Sequence, residues 1–94
     1  MDLTEDVKEF LQENRLRDAK EINEEGHCRA FADMVWRKYH ETELRATDIN
    51  DASIEGHYVV FNRVDGRYFD SESPLGVRKP ADLKYFKRRN SRRK

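Results

Sequence analysis

Residues 26–39 read Gly-His-Cys-Arg-Ala-Phe-Ala-Asp-Met-Val-Trp-Arg-Lys-Tyr, and this stretch decides the fold. Its apolar side chains recur three and four residues apart, which predicts an amphipathic helix from Cys28 to near His40. The apolar stripe consists of Cys28, Phe31, Ala32, Val35, Trp36 and Tyr39, and its aromatic side chains are assigned to the core. Because Cys28 begins the stripe, we expect its thiol at the helix N-terminus, facing the body of the domain.

A β-hairpin is predicted further along the chain. Residues 57–61, His-Tyr-Val-Val-Phe, are of types common in strands, Asp65-Gly66 is a turn signal, and residues 67–70, Arg-Tyr-Phe-Asp, form the return strand. Alternation places His57 on the same face as the buried apolar positions of its strand. An imidazole there is costly to bury unless it is hydrogen-bonded, so we expect a partner for His57.

Two carboxylates, Asp70 and Glu72, follow on the return segment. A two-residue turn in the hairpin places Asp70 opposite Phe61 and Glu72 opposite Val59. Both then share a face with His57 but lie somewhat short of it along the sheet. Either sheet twist or a longer loop from Arg63 to Gly66 would close that gap. Asp70 is the preferred partner of the imidazole, and Glu72 is the alternative.

The rest of the chain predicts shorter elements. These are a helix over residues 4–14, a short helix or ordered loop over 16–22, a loop or edge strand within 41–55 and a turn at 73–76. A final helical turn over 80–86 is expected to pack Leu83 and Phe86 on the domain. The pattern predicts an α+β fold in which the helix that carries Cys28 packs on a small antiparallel sheet, with one or two helices before it. We expect one domain, residues 1–86, and a flexible basic tail, residues 87–94.

Composition limits the class of protein. The chain has 94 residues, of which 36% are hydrophobic and 40% charged, so a small core must carry a highly charged surface. No apolar run approaches the roughly 18 residues of a membrane span, and no signal-peptide segment follows Met1. A cytoplasmic protein that does not enter the membrane is therefore expected. The single cysteine excludes an internal disulfide.

Charge is unevenly distributed although the net charge is zero. Residues 1–25 are rich in acids, whereas residues 84–94 contain seven Lys or Arg and no acid. A solvated tail is the simpler interpretation of this basic end. The alternative is a weak contact with a polyanion, nucleic acid or an acidic partner, through residues 84–94.

The three candidate groups suit nucleophilic catalysis. A helix N-terminus stabilises the Cys28 thiolate, His57 accepts the thiol proton, and Asp70 or Glu72 orients the imidazole. No cofactor is needed for this chemistry. His27 is not assigned as the base, because successive helix residues point in different directions. A metal site built from these side chains and His27 is suggested by ligand type alone, and no ligand spacing in the sequence supports it.

These residues resemble the transglutaminase-like branch of the papain-like cysteine protease superfamily. The matching pieces are Gly26-His27-Cys28 at a helix start, the strand that begins at His57, and the return strand from Gly66 to Asp70, within roughly residues 24–76. Residues 70–77 are also similar to the Asp-x-Glu-x-Pro-x-Gly-Val ending of small phage and prokaryotic proteins. Val59 stands where the family has an aromatic residue, and the short interval from His57 to Asp70 keeps Glu72 as an alternative.

The resemblance implies a minimal papain-like core and a Cys28-His57-Asp70 triad. The implied activity is that of a thiol hydrolase or acyltransferase, a cysteine peptidase, amidase or transglutaminase-like enzyme that acts on an amide or related acyl bond of a peptide or other acyl substrate. The alternative function is a catalytically inactive interaction module on the same fold, whose basic tail contacts nucleic acid or an acidic partner.

Overall fold

The structure, a computed structural model, describes residues 1–47 and 57–92. Its elements are α1 (Thr4–Asn14), α2 (Ala19–Glu24), α3 (Cys28–Lys38), β1 (Thr42–Thr47), β2 (His57–Asn62), β3 (Arg67–Asp70), β4 (Ser73–Val77), a 3-10 helix (Pro80–Asp82) and α4 (Lys84–Arg92). The strands form one antiparallel sheet in the order β1-β2-β3-β4. Helix α3 packs on β1 and β2, so the α+β class with a Cys-bearing helix on an antiparallel sheet is confirmed.

Both segments expected before α3 contain a helix, but the second helix, expected over 16–22, lies at Ala19–Glu24. Helix α1 ends at Asn14, and the weaker second pattern is the short helix α2. The carboxylate of Asp18 caps α2 by accepting a hydrogen bond from the backbone N–H of Glu21 at 3.0 Å. Of the segment 41–55, β1 is an edge strand, and residues 48–56 lie outside the described part of the chain.

The sheet is a middle layer between two apolar clusters. On one face, Val60 and Phe69 pack against buried residues of α1, α2 and α3. On the other face, Val59 packs against three buried residues at the C-terminal end of the chain: Leu83, Tyr85 and Phe86. Successive residues of β2 therefore contribute to opposite cores, as strand alternation requires. No helix in the described residues is long and apolar enough to cross a membrane.

Helix α1 is tied to the C-terminal end of α3 by a buried carboxylate. Asp6 accepts hydrogen bonds from Lys38 Nζ at 2.5 Å and from the Tyr39 hydroxyl at 2.8 Å. A buried carboxylate is costly unless it is paired, and these two donors offset that cost. The contact holds the layer of helices together and fixes the orientation of α3 at the end opposite Cys28.

The apolar stripe of α3 is narrower than the sequence predicts. Phe31, Ala32 and Val35 are buried, but Trp36 is 45% exposed, so its assignment to the core is wrong. At 100° per residue Trp36 lies about 80° around the helix from Cys28, at the margin of the stripe. The sheet covers the centre of the stripe and leaves this margin in solvent.

The predicted turn at residues 73–76 is instead strand β4. Pro74 is tolerated because β4 is an edge strand, and its carbonyl accepts a hydrogen bond from the backbone N–H of Leu3 at 2.9 Å. Gly76 has φ +82°, and a Cβ there would lie 2.6 Å from Cζ of Phe69. Pro74 therefore occupies an edge-strand position, and Gly76 allows the close approach of the Phe69 ring. Neither residue marks a turn.

Helix α4 crosses the position expected for the boundary between domain and tail. Leu83 and Phe86 are buried, as expected for a final helical turn. That turn continues as α4 to Arg92, so the boundary drawn at residue 86 falls inside a helix. Residues 87–92 therefore belong to an element whose first turn packs on the sheet.

Candidate active site

A helix-to-helix junction places the thiol. The backbone N–H of His27 donates to the carbonyl of Ile22 at 2.8 Å, and Gly26 has φ +80°, which together form a Schellman C-cap on α2. Glycine is suited to this position because its φ lies in the left-handed region. Helix α3 begins two residues later at Cys28, so the thiol lies at the N-terminus of α3 as predicted.

His57 and Asp70 form a buried pair. Nε2 of His57 lies 2.8 Å from Oδ2 of Asp70, and their side chains are only 1% and 2% exposed. The other carboxylate oxygen, Oδ1, accepts hydrogen bonds from the backbone N–H groups of Glu72 at 3.0 Å and Ser73 at 2.9 Å. Asp70 is therefore fixed by the turn that follows β3, and it in turn fixes the orientation of the imidazole.

The hairpin loop explains why Asp70 reaches His57. Val60 pairs with Phe69 and Asn62 pairs with Arg67, so the loop has four residues, 63–66, and not two. This register brings Asp70 two positions nearer to His57 than the short-turn prediction places it. The longer-loop alternative is therefore correct, and the two side chains meet as diagonal neighbours on one face of the sheet.

Glu72, the alternative orienting carboxylate, does not contact the imidazole. It accepts hydrogen bonds from Asn23 Nδ2 at 2.7 Å and from both terminal nitrogens of Arg88, that from Nη2 being 3.0 Å long. Glu72 lies in the turn between β3 and β4, where strand alternation no longer determines the direction of a side chain. Of the two carboxylates, Asp70 is thus the one paired with His57.

The Cys28 thiol lies beside the imidazole. Burial alone would raise the pKa of Cys28, but His57 and the backbone N–H groups of Tyr58 and Arg29 outweigh it, and the thiol pKa is lowered. Since Asp70 occupies Nε2, the nitrogen left for the thiol is Nδ1. This nitrogen is buried and has no hydrogen bond of ordinary geometry among the described residues. Catalytic hydrogen bonds are often long or poorly aligned before substrate binds.

The pKa of the His57 imidazole is shifted in the direction opposite to that of the Cys28 thiol. Burial would lower the pKa of His57, but the hydrogen bond to Asp70 and the interaction with Cys28 outweigh burial, and the pKa is raised. The thiol pKa and the imidazole pKa therefore move towards each other. This shift increases the population in which a thiolate faces an imidazolium, the reactive form of a cysteine–histidine pair.

Aromatic side chains of α4 enclose the imidazole. The Tyr85 ring stacks on His57 with ring centroids 4.0 Å apart and an interplanar angle of 19°. Phe86 meets the imidazole edge-on at 5.5 Å. The sequence predicts that Phe86 packs on the domain but carries no signal that Tyr85 covers the site, because residues 57 and 85 become neighbours only through the fold.

The side chains considered for a metal site do not form a metal-binding group among the described residues. The ring of His27 packs edge-on against Phe10 at a centroid distance of 6.3 Å. Within residues 1–47 and 57–92, no group of three or more His, Cys, Asp or Glu side chains could hold a metal ion. The imidazole of His57 instead pairs with the Asp70 carboxylate and interacts with the Cys28 thiol.

Comparison of the chain with protein-family models, curated proteins and solved structures gives no match.

Proposed function

We propose that this protein is a thiol hydrolase or acyltransferase that acts on an amide or related acyl bond. Cys28 is the nucleophile, His57 is the general base and then the general acid, and Asp70 orients the imidazole. The observation that carries the proposal is the buried hydrogen bond from His57 to Asp70, which leaves the second ring nitrogen to the thiol.

The proposed reaction has two steps. The thiolate of Cys28 forms a bond with the substrate carbonyl carbon, the imidazolium of His57 protonates the leaving amine, and the carbon–nitrogen bond breaks to give a thioester. Water or an acceptor amine then attacks the thioester and gives a proton to the imidazole. The carbon–sulfur bond breaks, and the thiolate–imidazolium pair is restored.

Asp70 supports this cycle by fixing the tautomer of His57. Its Oδ1 is held by two backbone N–H groups, so Oδ2 is the oxygen that accepts the Nε2 proton. With the proton on Nε2, the neutral ring presents an unprotonated Nδ1 to the thiol. The carboxylate also stabilises the imidazolium that forms when the thiol proton is transferred.

We further propose that the fold is a minimal transglutaminase-like core within the papain-like superfamily. Its support is the order of the elements: a helix that begins at Cys28, a strand that begins at His57 and an adjacent antiparallel strand that ends at Asp70. The pairing of His57 with the carboxylate on the neighbouring strand agrees with the triad that the resemblance implies.

Acyl transfer from p-nitrophenyl acetate tests the proposed activity. The intact chain should release p-nitrophenolate in a burst, gain the mass of one acetyl group on Cys28, and then turn over. Cys28→Ser should remove the burst, and His57→Gln should slow both steps by about 10²-fold or more, the usual contribution of a general base. Asp33→Asn, at a half-exposed position of the same helix, is the matched control. A wild-type burst no faster than that of free cysteine, unchanged in His57→Gln, would contradict the proposal.

The alternative, an inactive module with a basic contact surface, has a narrower basis in the structure. Lys84 and Lys87 are exposed on α4. Arg88, by contrast, is engaged by two glutamates. Among the α4 side chains that the structure describes, a polyanion contact would therefore use the two lysines.

A further inference from the structure

Arg88 of α4 joins two glutamates that lie far apart in the sequence. Its guanidinium donates from both terminal nitrogens to Glu72, with Nη2 to Oε2 at 3.0 Å, and its Nε donates to Glu24 Oε1 at 3.0 Å. Nη2 also lies 2.8 Å from Glu24 Oε1. Asn23 adds a hydrogen bond of 2.7 Å to Glu72 from α2. We call this group of four side chains the Arg88 clamp.

The clamp connects the two segments that carry the candidate catalytic groups. Glu24 is the last residue of α2, just before the junction that places Cys28 at the start of α3. Glu72 lies in the turn whose backbone N–H groups hold Asp70. A single side chain from the C-terminal helix therefore fixes the nucleophile segment against the carboxylate segment.

Partial burial makes this contact stronger than an ordinary surface ion pair. The side chains of Arg88 and Glu72 are only 21% and 9% exposed. A bidentate guanidinium–carboxylate contact fixes orientation as well as distance, because the planar guanidinium presents two N–H donors to the two carboxylate oxygens. A lysine at the same position keeps the charge but cannot make the same set of parallel hydrogen bonds.

The same helix reaches the site at two further points. Its first backbone N–H, that of Lys84, donates to the Ser73 hydroxyl at 3.3 Å, and the Ser73 N–H donates to Asp70. One residue later, the Tyr85 ring lies on the face of His57. Displacement of α4 would therefore disturb the orienting carboxylate and uncover the imidazole together.

We propose that Arg88 is a positioning residue for the site: through Glu24 and Glu72 it sets the approach of Cys28 to His57 and keeps Tyr85 on the imidazole. The inference rests on the function proposed above, because it assigns a role in the reactivity of the same thiol. The inference also gives a role to Glu72, which the sequence offers as the alternative to Asp70 for orienting the imidazole. Glu72 anchors the clamp, and Asp70 orients the base.

The pH dependence of Cys28 alkylation by iodoacetamide tests the clamp in the 94-residue chain. In Arg88→Met the apparent pKa of the thiol should rise by about one unit, and the rate well below that pKa should fall about tenfold. Arg88→Lys should give a smaller shift in the same direction. Lys87→Met removes the same charge from an exposed position of α4 and should leave the profile unchanged. Circular dichroism and the thermal midpoint, measured on each variant, report the folded state.

The possible outcomes distinguish failure of the positioning role of Arg88 from failure of the proposed enzymatic function. An unchanged alkylation profile in Arg88→Met, even with a lower thermal midpoint, overturns the positioning role and leaves a structural one. If Arg88→Met does not fold, Arg88→Lys is the test variant. An unchanged alkylation profile in Arg88→Lys then also overturns the positioning role of Arg88. If the wild-type thiol itself titrates like free cysteine, the proposed function fails, and the inference about Arg88 fails with it.

Discussion

Replacing Asp70 with asparagine changes one atom of the site, and the surrounding hydrogen bonds determine the result. Oδ1 accepts backbone N–H groups from Glu72 and Ser73, so only the amide oxygen of the asparagine can occupy that position. The amide nitrogen must then face Nε2 of His57, where it donates a hydrogen bond. Nε2 becomes an acceptor, and the proton of the neutral ring moves to Nδ1, the nitrogen that should take the thiol proton.

The size of the effect follows from the balance at the thiol. Burial raises the pKa of Cys28, and the interaction with His57 is the largest influence that opposes it. Once the imidazolium is destabilised, only the backbone N–H groups of Tyr58 and Arg29 oppose burial. The thiol pKa should therefore rise by about one unit, and alkylation at neutral pH should slow about tenfold. Acyl transfer should fall further, towards the roughly 10⁴-fold loss that a wrong tautomer causes in serine triads. The fold should persist with a loss of about 1–3 kcal/mol, because all three hydrogen-bonding positions stay occupied.

Nitrogen NMR of isotope-labelled imidazole and the pH profile of alkylation form the assay. In the wild type, the neutral ring of His57 should carry its proton on Nε2, and in Asp70→Asn on Nδ1. Asp33→Asn, at a half-exposed position of α3, controls for the loss of a carboxylate. A folded Asp70→Asn variant with wild-type tautomer and wild-type thiol reactivity would refute the role given to Asp70.

Three further predictions concern other parts of the molecule. Gly76→Ala should lower the free energy of unfolding by about 1–3 kcal/mol in a urea titration. The reason is that its Cβ would lie 2.6 Å from Phe69 Cζ and that φ at this position is +82°. An unchanged urea midpoint would contradict that contact. Asp6→Ala should cost about 1–3 kcal/mol in the same titration, because a tyrosine hydroxyl loses its acceptor, and a neutral result would exclude the tie between α1 and α3. If α4 binds polyanions, Lys84→Gln with Lys87→Gln should lower the salt slope of heparin binding by about two, whereas an unchanged slope would exclude these lysines.

The sequence predicts the local elements of the site well, because their signals are local. Helical periodicity starts at Cys28, strand-forming residues start at His57, and the structure places both residues at the first position of an element. Parity also places Asp70 and His57 on one face, a relation that holds for either loop length. The loop length itself is not predicted, because it depends on how Asn62 Oδ1 accepts the backbone N–H groups of Val64 and Asp65 at 2.8 and 3.2 Å.

Long-range packing is what the sequence does not reveal. The roles of Tyr85 and Arg88 depend on where α4 lies, and no periodicity records that an arginine near the C-terminus meets glutamates 16 and 64 residues away. Proline and glycine at 73–76 predict a turn because both residue types favour turns locally. The segment is an edge strand instead, because neighbouring strands decide its position. The exposure of Trp36 likewise depends on how much of α3 the sheet covers.

The pKa of the Cys28 thiol, measured from the rate of iodoacetamide alkylation against pH, tests the central claim most directly. The imidazole of His57 lowers this pKa, so the wild-type thiolate should persist, and react, at pH values below the ordinary thiol pKa. In His57→Gln the midpoint should move upwards, because the largest influence that opposes burial is then lost. A wild-type midpoint equal to that of free cysteine, with no shift in His57→Gln, would contradict the account.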